Sequence, residues 1–154
     1  MPRKVLPLGA EKIPTFGPYS SVVQVGNHYH FAGILPDTAV DASVGGVRKP
    51  TTPENQVAQF GQLIANMMAA LAAVNLTMRD VIRVRVFMIG LTNASDFNRL
   101  YEIVLGGIPP VRTLVGVAVL PFGVLAEIEM DAVKQDEEPR PSHPRPLGET
   151  SPRD

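Results

Sequence analysis

Two charged residues near the end of the chain, Arg112 and Glu127, lie within apolar, β-branched runs that need no charge for stability. Arg112 follows Pro109-Pro110, so its backbone is stiffly placed where a strand begins. A guanidinium fixed in this way can hold a carboxylate through two parallel hydrogen bonds. An exposed arginine with a purely structural role is the alternative, and this stretch alone leaves both interpretations open.

Pro121-Phe122-Gly123 joins the two apolar runs and predicts a β-hairpin. In the second run Glu127, Glu129 and Asp131 alternate with apolar residues, which is typical of a half-buried strand. A solvated acidic face is the simplest interpretation of Glu129 and Asp131, because acids are mostly exposed.

The same stretch resembles a known family. Pro110-Val111-Arg112-Thr113, about seven further strand residues, Leu120-Pro121 and then Glu127-Ile128-Glu129 resemble the closing signature of the Rid family, the reactive intermediate deaminases or YjgF-type proteins. Three earlier features also match: Gly17-Pro18-Tyr19, the Gly26-Asn27 turn and the Asn98-x-x-Tyr101 spacing. The resemblance covers most of the chain, from about residue 15 to 133.

The composition is that of one globular domain. The chain has 154 residues, 45% of them hydrophobic and 19% charged, with a net charge of −1. This charge favours neither nucleic acid nor an anionic membrane as a partner. The absence of cysteine excludes disulfides and thiol nucleophiles. We find no apolar run long enough to span a membrane and no signal peptide at the N-terminus, so a cytoplasmic location is expected.

Three segments are predicted from composition and from the extent of the resemblance. Residues 1–14 are predicted to be a loose N-terminal arm, and residues 15–134 a Rid-like domain. Residues 135–154 form a Pro-rich tail with a single large apolar residue, Leu147. Taken alone, this tail cannot bury enough surface to offset the entropy of ordering it.

Periodicity predicts the elements of the first half of the domain. Residues 22–25 and 28–35 flank Gly26-Asn27 and predict an opening β-hairpin. Residues 36–50 are predicted to be a loop. Apolar residues then recur three and four apart, which predicts a helix that begins within Thr51–Glu54 and ends near residues 73–75.

The second half is predicted to contain a strand, a helix and the closing hairpin. Residues 80–89 alternate as a strand, with Ile82, Val84, Val86 and Met88 expected to share one face. A shorter apolar stripe from about residue 92 predicts a second helix that ends at Gly106-Gly107.

This order of elements predicts an α+β fold, a mixed β-sheet with two helices packed on one face. The other face is rich in valine and isoleucine, so contacts with other subunits are expected there. The resemblance implies a chorismate-mutase-like fold and a homotrimer whose sheets form a central barrel with clefts between subunits.

Further residues are candidates for a site, each with a structural alternative. The resemblance places Tyr19 at the border of the active cleft, although a half-buried tyrosine that closes a barrel end fits equally well. Phe87 is a candidate pocket wall. Asn98 is a candidate substrate-binding residue that could instead cap or bond a loop. Tyr101 is expected to pack in the core.

Two pairs of residues could bind phosphate or a metal ion, but other features of the sequence disfavour both functions. Arg83 and Arg85 share a strand face and could contact phosphate, but without an aromatic platform for bases a solvated or salt-bridged face is favoured. His28 and His30 also share a face, and zinc needs at least three ligands. No third ligand is evident nearby, since His143 lies in the tail, so no metal site is predicted.

The resemblance implies hydrolytic deamination of enamine or imine acids to 2-oxo acids without a cofactor. Arg112 would hold the substrate carboxylate, and Glu127 would orient a water and transfer its proton, which requires a raised pKa for Glu127. Tyr19 would close the pocket. The backbone around Gly33 and Ala32 would contact the substrate or water.

Two positions depart from the best-studied deaminase branch of that family. Ala32 stands where that branch has serine, and Leu114 stands where it has cysteine. The site therefore loses a hydroxyl and becomes more apolar, and a larger or less polar substrate is expected. A trimer that binds a small carboxylate without turnover stays open as the main alternative, and endoribonuclease activity as a weaker one.

A flat hairpin that turns near Phe122 would place Arg112 about 17 Å from the level of Glu127, at about 3.4 Å per residue. One substrate could not easily reach both side chains across that distance. Either the curvature of a barrel closes the gap, or the two residues of one site come from different subunits, which is the hypothesis preferred here.

Overall fold

The computed structural model of the protein describes residues 1–6, 16–41, 49–51, 55–105, 107 and 109–135. The Pro-rich tail beyond residue 135, residues 42–48 of the predicted loop 36–50 and much of the predicted N-terminal arm lie outside these residues. The described part of that loop is not all irregular, because it includes two short strands near residues 39–41 and 49–51. The described part contains two helices, α1 (Gln56–Ala73) and α2 (Ala94–Val104). Its strands are β1 (Arg3–Leu6), β2 (Val22–Val25), β3 (His28–Ile34), β4 (Ala39–Asp41), β5 (Lys49–Thr51), β6 (Val81–Ile89), β7 (Val111–Val117) and β8 (Ala126–Val133).

Six of the strands form one mixed sheet in the order β1-β2-β3-β8-β6-β7. Strands β6 and β7 run parallel, whereas the other neighbours are antiparallel. The predicted opening hairpin is confirmed as β2 and β3, with Gly26 at φ +62° in the turn between them. Strands β4 and β5 pair separately. The predicted α+β class and mixed sheet are therefore confirmed.

Both helices pack on one face of this sheet, as predicted. The main core between the layers contains Phe60, Leu63, Met67 and Leu71 from α1, Phe97 and Tyr101 from α2, and alternate residues of β6 and β8. Val84, Val86, Ala126 and Ile128 are fully buried in it. Among the described residues, no helix is long and apolar enough to cross a membrane.

The predicted closing hairpin is wrong. Strands β7 and β8 do not pair, because β6 lies between them and hydrogen-bonds to both. A parallel β6–β7 pair needs a crossover connection, and α2 provides it across one face of the sheet. Pro121-Phe122-Gly123 forms a short 3-10 turn within a longer connection that carries the chain past β6 to β8.

The face assigned to Ile82 is also wrong. The pairing of β6 with β8 shifts by one residue between Val81 and Arg83. This irregularity turns Val81 into the core and leaves Ile82 44% exposed. From Val84 onward the alternation is as predicted, with Val84, Val86 and Met88 buried.

The predicted loose arm contains an ordered strand. Residues Arg3–Leu6 form β1, which pairs with β2 at one edge of the sheet. Three of its four residues are exposed, and Leu6 packs against the main core. Charged residues and flanking prolines are common on edge strands, because they discourage pairing with other chains. Because of these charged residues and prolines, residues 3–6 lack the apolar alternation that predicts a strand.

Helix α1 begins later than predicted. Its N-cap is Asn55, whose side-chain oxygen accepts a hydrogen bond from the Ala58 amide at 2.8 Å, rather than a threonine at position 51 or 52. The backbone of Thr51 belongs to β5, and residues 52–54 lie outside the described part of the chain. Asparagine caps a helix at least as well as threonine, which explains why the helix can begin after Asn55 rather than at a threonine.

This cap generates a prediction for stability. Replacing Asn55 with alanine leaves the Ala58 amide without its acceptor and should lower the free energy of unfolding by about 1 kcal/mol. Chemical denaturation followed by circular dichroism measures the change. Asn55→Ser, which keeps a capping oxygen, is the matched control and should remain close to wild type. Equal losses in both variants would show that the cap is not the stabilising element.

Candidate active site

The helix-free face of the sheet carries three acids on β8, and two of them are paired with basic side chains. Arg85 donates from Nε to Glu129 Oε2 at 2.9 Å and from Nη1 to Asp131 Oδ2 at 3.3 Å. His30 Nδ1 lies 2.9 Å from Asp131 Oδ1. The salt-bridged alternative for Arg85 is therefore confirmed, and Glu129 and Asp131 are paired rather than simply solvated.

Glu127 is the third of these acids. Its neighbours Ala126 and Ile128 are fully buried in the core, so its own side chain points to the helix-free face. It has no hydrogen bond or ion pair with any residue in the described part of the chain. A half-buried carboxylate without a protein partner is available to a ligand or a reacting water.

Gly33 makes room for this carboxylate. Strand β3 shifts its pairing with β8 between Phe31 and Ile34, which places the Gly33 backbone beside Glu127. A Cβ on Gly33 would lie 2.8 Å from Glu127 Cδ and would collide with Oε1. The Glu127 side chain can adopt this position only because residue 33 has no side chain. Ala32, next to it, is half-buried and donates its amide to the Ser21 carbonyl at 2.9 Å.

Burial raises the pKa of Glu127 above its ordinary value, and the negative charge of nearby Glu129 raises it further. Both effects disfavour the ionised carboxylate in the folded protein. This is the direction that the sequence-based role for Glu127 requires. A carboxylate whose pKa lies closer to neutrality is a better general base and acid than an ordinary glutamate.

An apolar wall stands beside Glu127. Phe87 lies opposite Glu127 in the β6–β8 pairing and on the same face. It packs against Leu35, Leu120 and Val124, which form a small second core on the helix-free side together with Phe16, Ile89 and Val117. Phe87 thus lies beside Glu127, and its role as a pocket wall stays a prediction.

The aromatic rings of Phe16 and Phe122 extend this wall, with their centroids 4.9 Å apart. Phe122 has φ +58°, a backbone conformation that is uncommon for residues other than glycine, and its side chain is 44% exposed. Phe122 was expected only as a turn residue, and Phe16 was not among the predicted site residues. The Pro-Phe-Gly turn was the available signal, because a large aromatic residue at a tight turn is costly to expose.

Tyr19 is 47% exposed and is hydrogen-bonded to Phe16, which belongs to this wall. Its hydroxyl accepts a hydrogen bond from the Phe16 amide at 3.0 Å. The hydroxyl proton is not used in that bond and can be donated to another group.

Arg112 points to the other face of the sheet. It lies level with Val84, which is fully buried under the helices. Its guanidinium carbon lies 5.3 Å from the centroid of the Tyr101 ring on α2. Arg112 is exposed and has no ion pair with the residues that the structure describes. Asn98, one helical turn before Tyr101, is also exposed.

One chain therefore does not bring Arg112 and Glu127 together. Val115, Phe87 and Glu127 lie level across β7, β6 and β8. Arg112 is three residues along β7 from that level and two strands away, which is about 10 Å in each direction. The hairpin register behind the 17 Å estimate was wrong. The separation is nonetheless large, and the two side chains lie on opposite faces.

His28 and His30 are not joined by further ligands in the described residues, where no group of three or more potential metal-binding side chains occurs. His143 lies outside the described residues.

The sequence and fold match known proteins over most of the chain. Residues 9–134 match the family model described as Endoribonuclease L-PSP. The chain belongs to the YjgF/RutC/Rid family. A RutC family protein of Pyrococcus abyssi is 33% identical over 126 residues, which are 81% of this chain and 94% of the relative.

Two other relatives carry more specific descriptions. The 2-iminobutanoate/2-iminopropanoate deaminase of Dermatophagoides farinae is 32% identical over 133 residues, which are 83% of this chain and 94% of that protein. The crystal structure of E. coli TdcF with bound serine is 27% identical, with a TM-score of 0.67 over 82% of this chain and 96% of that one. The Rid-family resemblance identified from the sequence is thereby confirmed.

The raised pKa of Glu127 predicts a pH-dependent effect of removing its charge. Its pKa is higher in the folded than in the unfolded chain, so ionisation of Glu127 disfavours folding at high pH. Glu127→Gln should therefore raise the melting temperature at pH 8. The gain should shrink as the pH falls through the raised pKa and disappear below about pH 4, where glutamate is protonated in both states. Calorimetry across this range measures the effect.

Glu129→Gln is the matched control for this measurement. It removes a charge from the same strand face but also abolishes the ion pair between Glu129 and Arg85, so it should give no gain at pH 8. A Glu127→Gln effect that is independent of pH, or a loss of stability at pH 8, would contradict the assignment.

Proposed function

We propose that the protein hydrolyses the imine or enamine forms of 2-amino acids to 2-oxo acids and releases ammonia. The observation that carries this proposal is Glu127, a half-buried carboxylate with a raised pKa beside an apolar wall and with no ion pair among the residues that the structure describes. The deaminase relative and the amino-acid complex of the E. coli relative support it, because both concern small molecules with a carboxylate and a nitrogen on the neighbouring carbon.

Glu127 acts on the water in this proposal. It takes a proton from the water as the oxygen attacks C2 of the imine, and it returns that proton to the nitrogen, which gives a carbinolamine. It then takes the proton of the new hydroxyl group as the C–N bond breaks. The products are the 2-oxo acid and ammonia, and the glutamate is restored once the proton has passed to the leaving nitrogen.

Arg112 holds the substrate carboxylate in this proposal. Because it has no ion pair within the described residues, its N–H groups are available for two parallel bonds to a carboxylate. Fixing the carboxylate places C2 at a defined distance from the water, and such positioning can supply a large part of the rate enhancement.

The active unit is proposed to be a homotrimer whose sites lie between neighbouring subunits. Arg112 and Glu127 lie on opposite faces of one sheet, so a second chain is the simplest source of the missing partner. The helix-free face also carries exposed apolar side chains, among them Val5, Val111 and Val115, which a neighbouring subunit would cover.

The apolar wall supports a substrate with an apolar side chain. Phe87 faces the same side as Glu127, and the second core continues from it. Leu114 and Ala32 add no hydroxyl or thiol near the proposed site.

Carboxylate binding without turnover is the second candidate function, and it is favoured by the alanine at position 32 and the leucine at position 114, which depart from the deaminase branch. We do not propose RNA as a substrate, because Arg85 is neutralised by Glu129 and Asp131 and the net charge is −1.

A coupled assay tests the proposed reaction. An amino-acid oxidase generates 2-iminopropanoate and a bulkier imine, and semicarbazide traps whatever imine remains. The wild-type protein should suppress trapping, whereas Arg112→Ala and Glu127→Gln should each lose at least about 100-fold in kcat/KM, because one removes positioning and the other proton transfer. Glu102→Gln, a change at an exposed site on α2, is the control and should remain active. No suppression by the wild-type protein, together with carboxylate binding, would favour the second candidate.

A mixed-subunit experiment tests the shared site. Arg112→Ala and Glu127→Gln proteins, each inactive alone, are unfolded together, refolded and assayed. Mixed assemblies should regain activity, because some interfaces then combine an intact Arg112 from one subunit with an intact Glu127 from another. Refolding each variant separately and mixing afterwards is the control. If co-refolded mixtures of verified mixed composition show no recovery, both residues of a site come from one chain.

A further inference from the structure

Tyr101 lies at the end of an aromatic column that begins deep in the core. The rings of Phe60 and Phe97 meet edge to face with centroids 5.7 Å apart. The Phe97 ring stacks nearly parallel to that of Tyr101, at 5.6 Å and 17°. Tyr101 is only 3% exposed. The column therefore packs the Tyr101 ring into the core.

The exposed end of this column is covered by Arg112. Its guanidinium carbon lies 5.3 Å from the centre of the Tyr101 ring, within the range of a cation–π contact. A cation–π contact places the positive charge over the ring and requires no particular N–H group, whereas a carboxylate binds to the N–H groups at the edge of the guanidinium. Tyr101 can thus hold Arg112 without competing with a substrate for the same atoms.

The Tyr101 hydroxyl does not account for the burial of this residue. It is buried and has no hydrogen-bond partner among the residues that the structure describes. Burial raises the pKa of Tyr101, so its hydroxyl stays neutral. A buried hydroxyl without a partner lowers stability, whereas the ring contributes to both the core and the Arg112 contact.

We propose that Tyr101 is a positioning residue for Arg112 and that its ring holds the guanidinium in the orientation that receives the substrate carboxylate. This inference rests on the proposed function, in which Arg112 binds that carboxylate. A long arginine side chain that is already ordered loses less conformational freedom on binding. Tyr101 should therefore strengthen substrate binding although it does not touch the substrate.

Three variants separate the ring, the hydroxyl and the general stability of the core. Tyr101→Phe keeps the ring and removes the hydroxyl. Tyr101→Leu removes the ring. If the leucine variant does not fold, Tyr101→Met, which also lacks the ring, takes its place in the experiment. Phe60→Leu is the matched control, because it removes a ring from the same aromatic column but does not contact Arg112.

KM and kcat for 2-iminopropanoate, the Kd for pyruvate by calorimetry and the melting temperature are measured for each protein. Tyr101→Leu should raise KM and Kd by about 3- to 30-fold, the range of a cation–π contact, with kcat changed less than KM. Tyr101→Phe should keep the wild-type KM and melt at the same or a higher temperature. Phe60→Leu should melt lower without a change in KM.

These outcomes distinguish a failure of the positioning role of Tyr101 from a failure of the deaminase proposal. Suppose that the wild-type protein turns over the imine. The positioning role of the ring is then wrong if Tyr101→Leu and Phe60→Leu have the same KM. It is also wrong if Tyr101→Phe loses as much affinity as Tyr101→Leu. If the wild-type protein binds pyruvate without turnover, the deaminase proposal fails and the Kd values still test Tyr101. If it neither binds pyruvate nor turns over the imine, both proposals are overturned.

Discussion

The insertion of β6 between β8 and β7 determines the layout of the molecule. This strand pairs with both neighbours along most of its length, parallel to one and antiparallel to the other. Val84, Val86 and Met88 anchor its inner side in the main core. Its position separates the strand that carries Glu127 from the strand that carries Arg112. The distance between the two candidate residues is thus a property of the strand order.

The electrostatics of the helix-free face follow from β6 as well. Arg85 on this strand lies opposite Glu129 and reaches Asp131, so two of the three acids on β8 are neutralised. Phe87, two residues further along, lies opposite Glu127 and offers no charge. Because β6 has arginine at position 85 and phenylalanine at position 87, it pairs with the charge of Glu129 but leaves Glu127 beside an apolar side chain.

The periodicity of apolar residues allowed the helices and most strands to be predicted, but it did not predict the order of the strands in the sheet. The apolar periodicity of α1 and α2 and the alternation in β6 and β8 report on burial, which is a local property. Strand order is not local: two runs joined by a turn appear to be a hairpin whether or not another strand enters between them. For the same reason the sequence identified Arg112 and Glu127 as candidates but did not reveal that they lie on opposite faces.

The contact between Gly33 and Glu127 limits how this protein can change during evolution. The carboxylate occupies the volume that any side chain at position 33 would need. A side chain at position 33 would therefore displace the Glu127 carboxylate from this place, unless a shorter acid had first replaced Glu127. Such dependence is called epistasis, and here its origin is steric. Descendants of this sequence that retain a glutamate in this position must also retain the glycine.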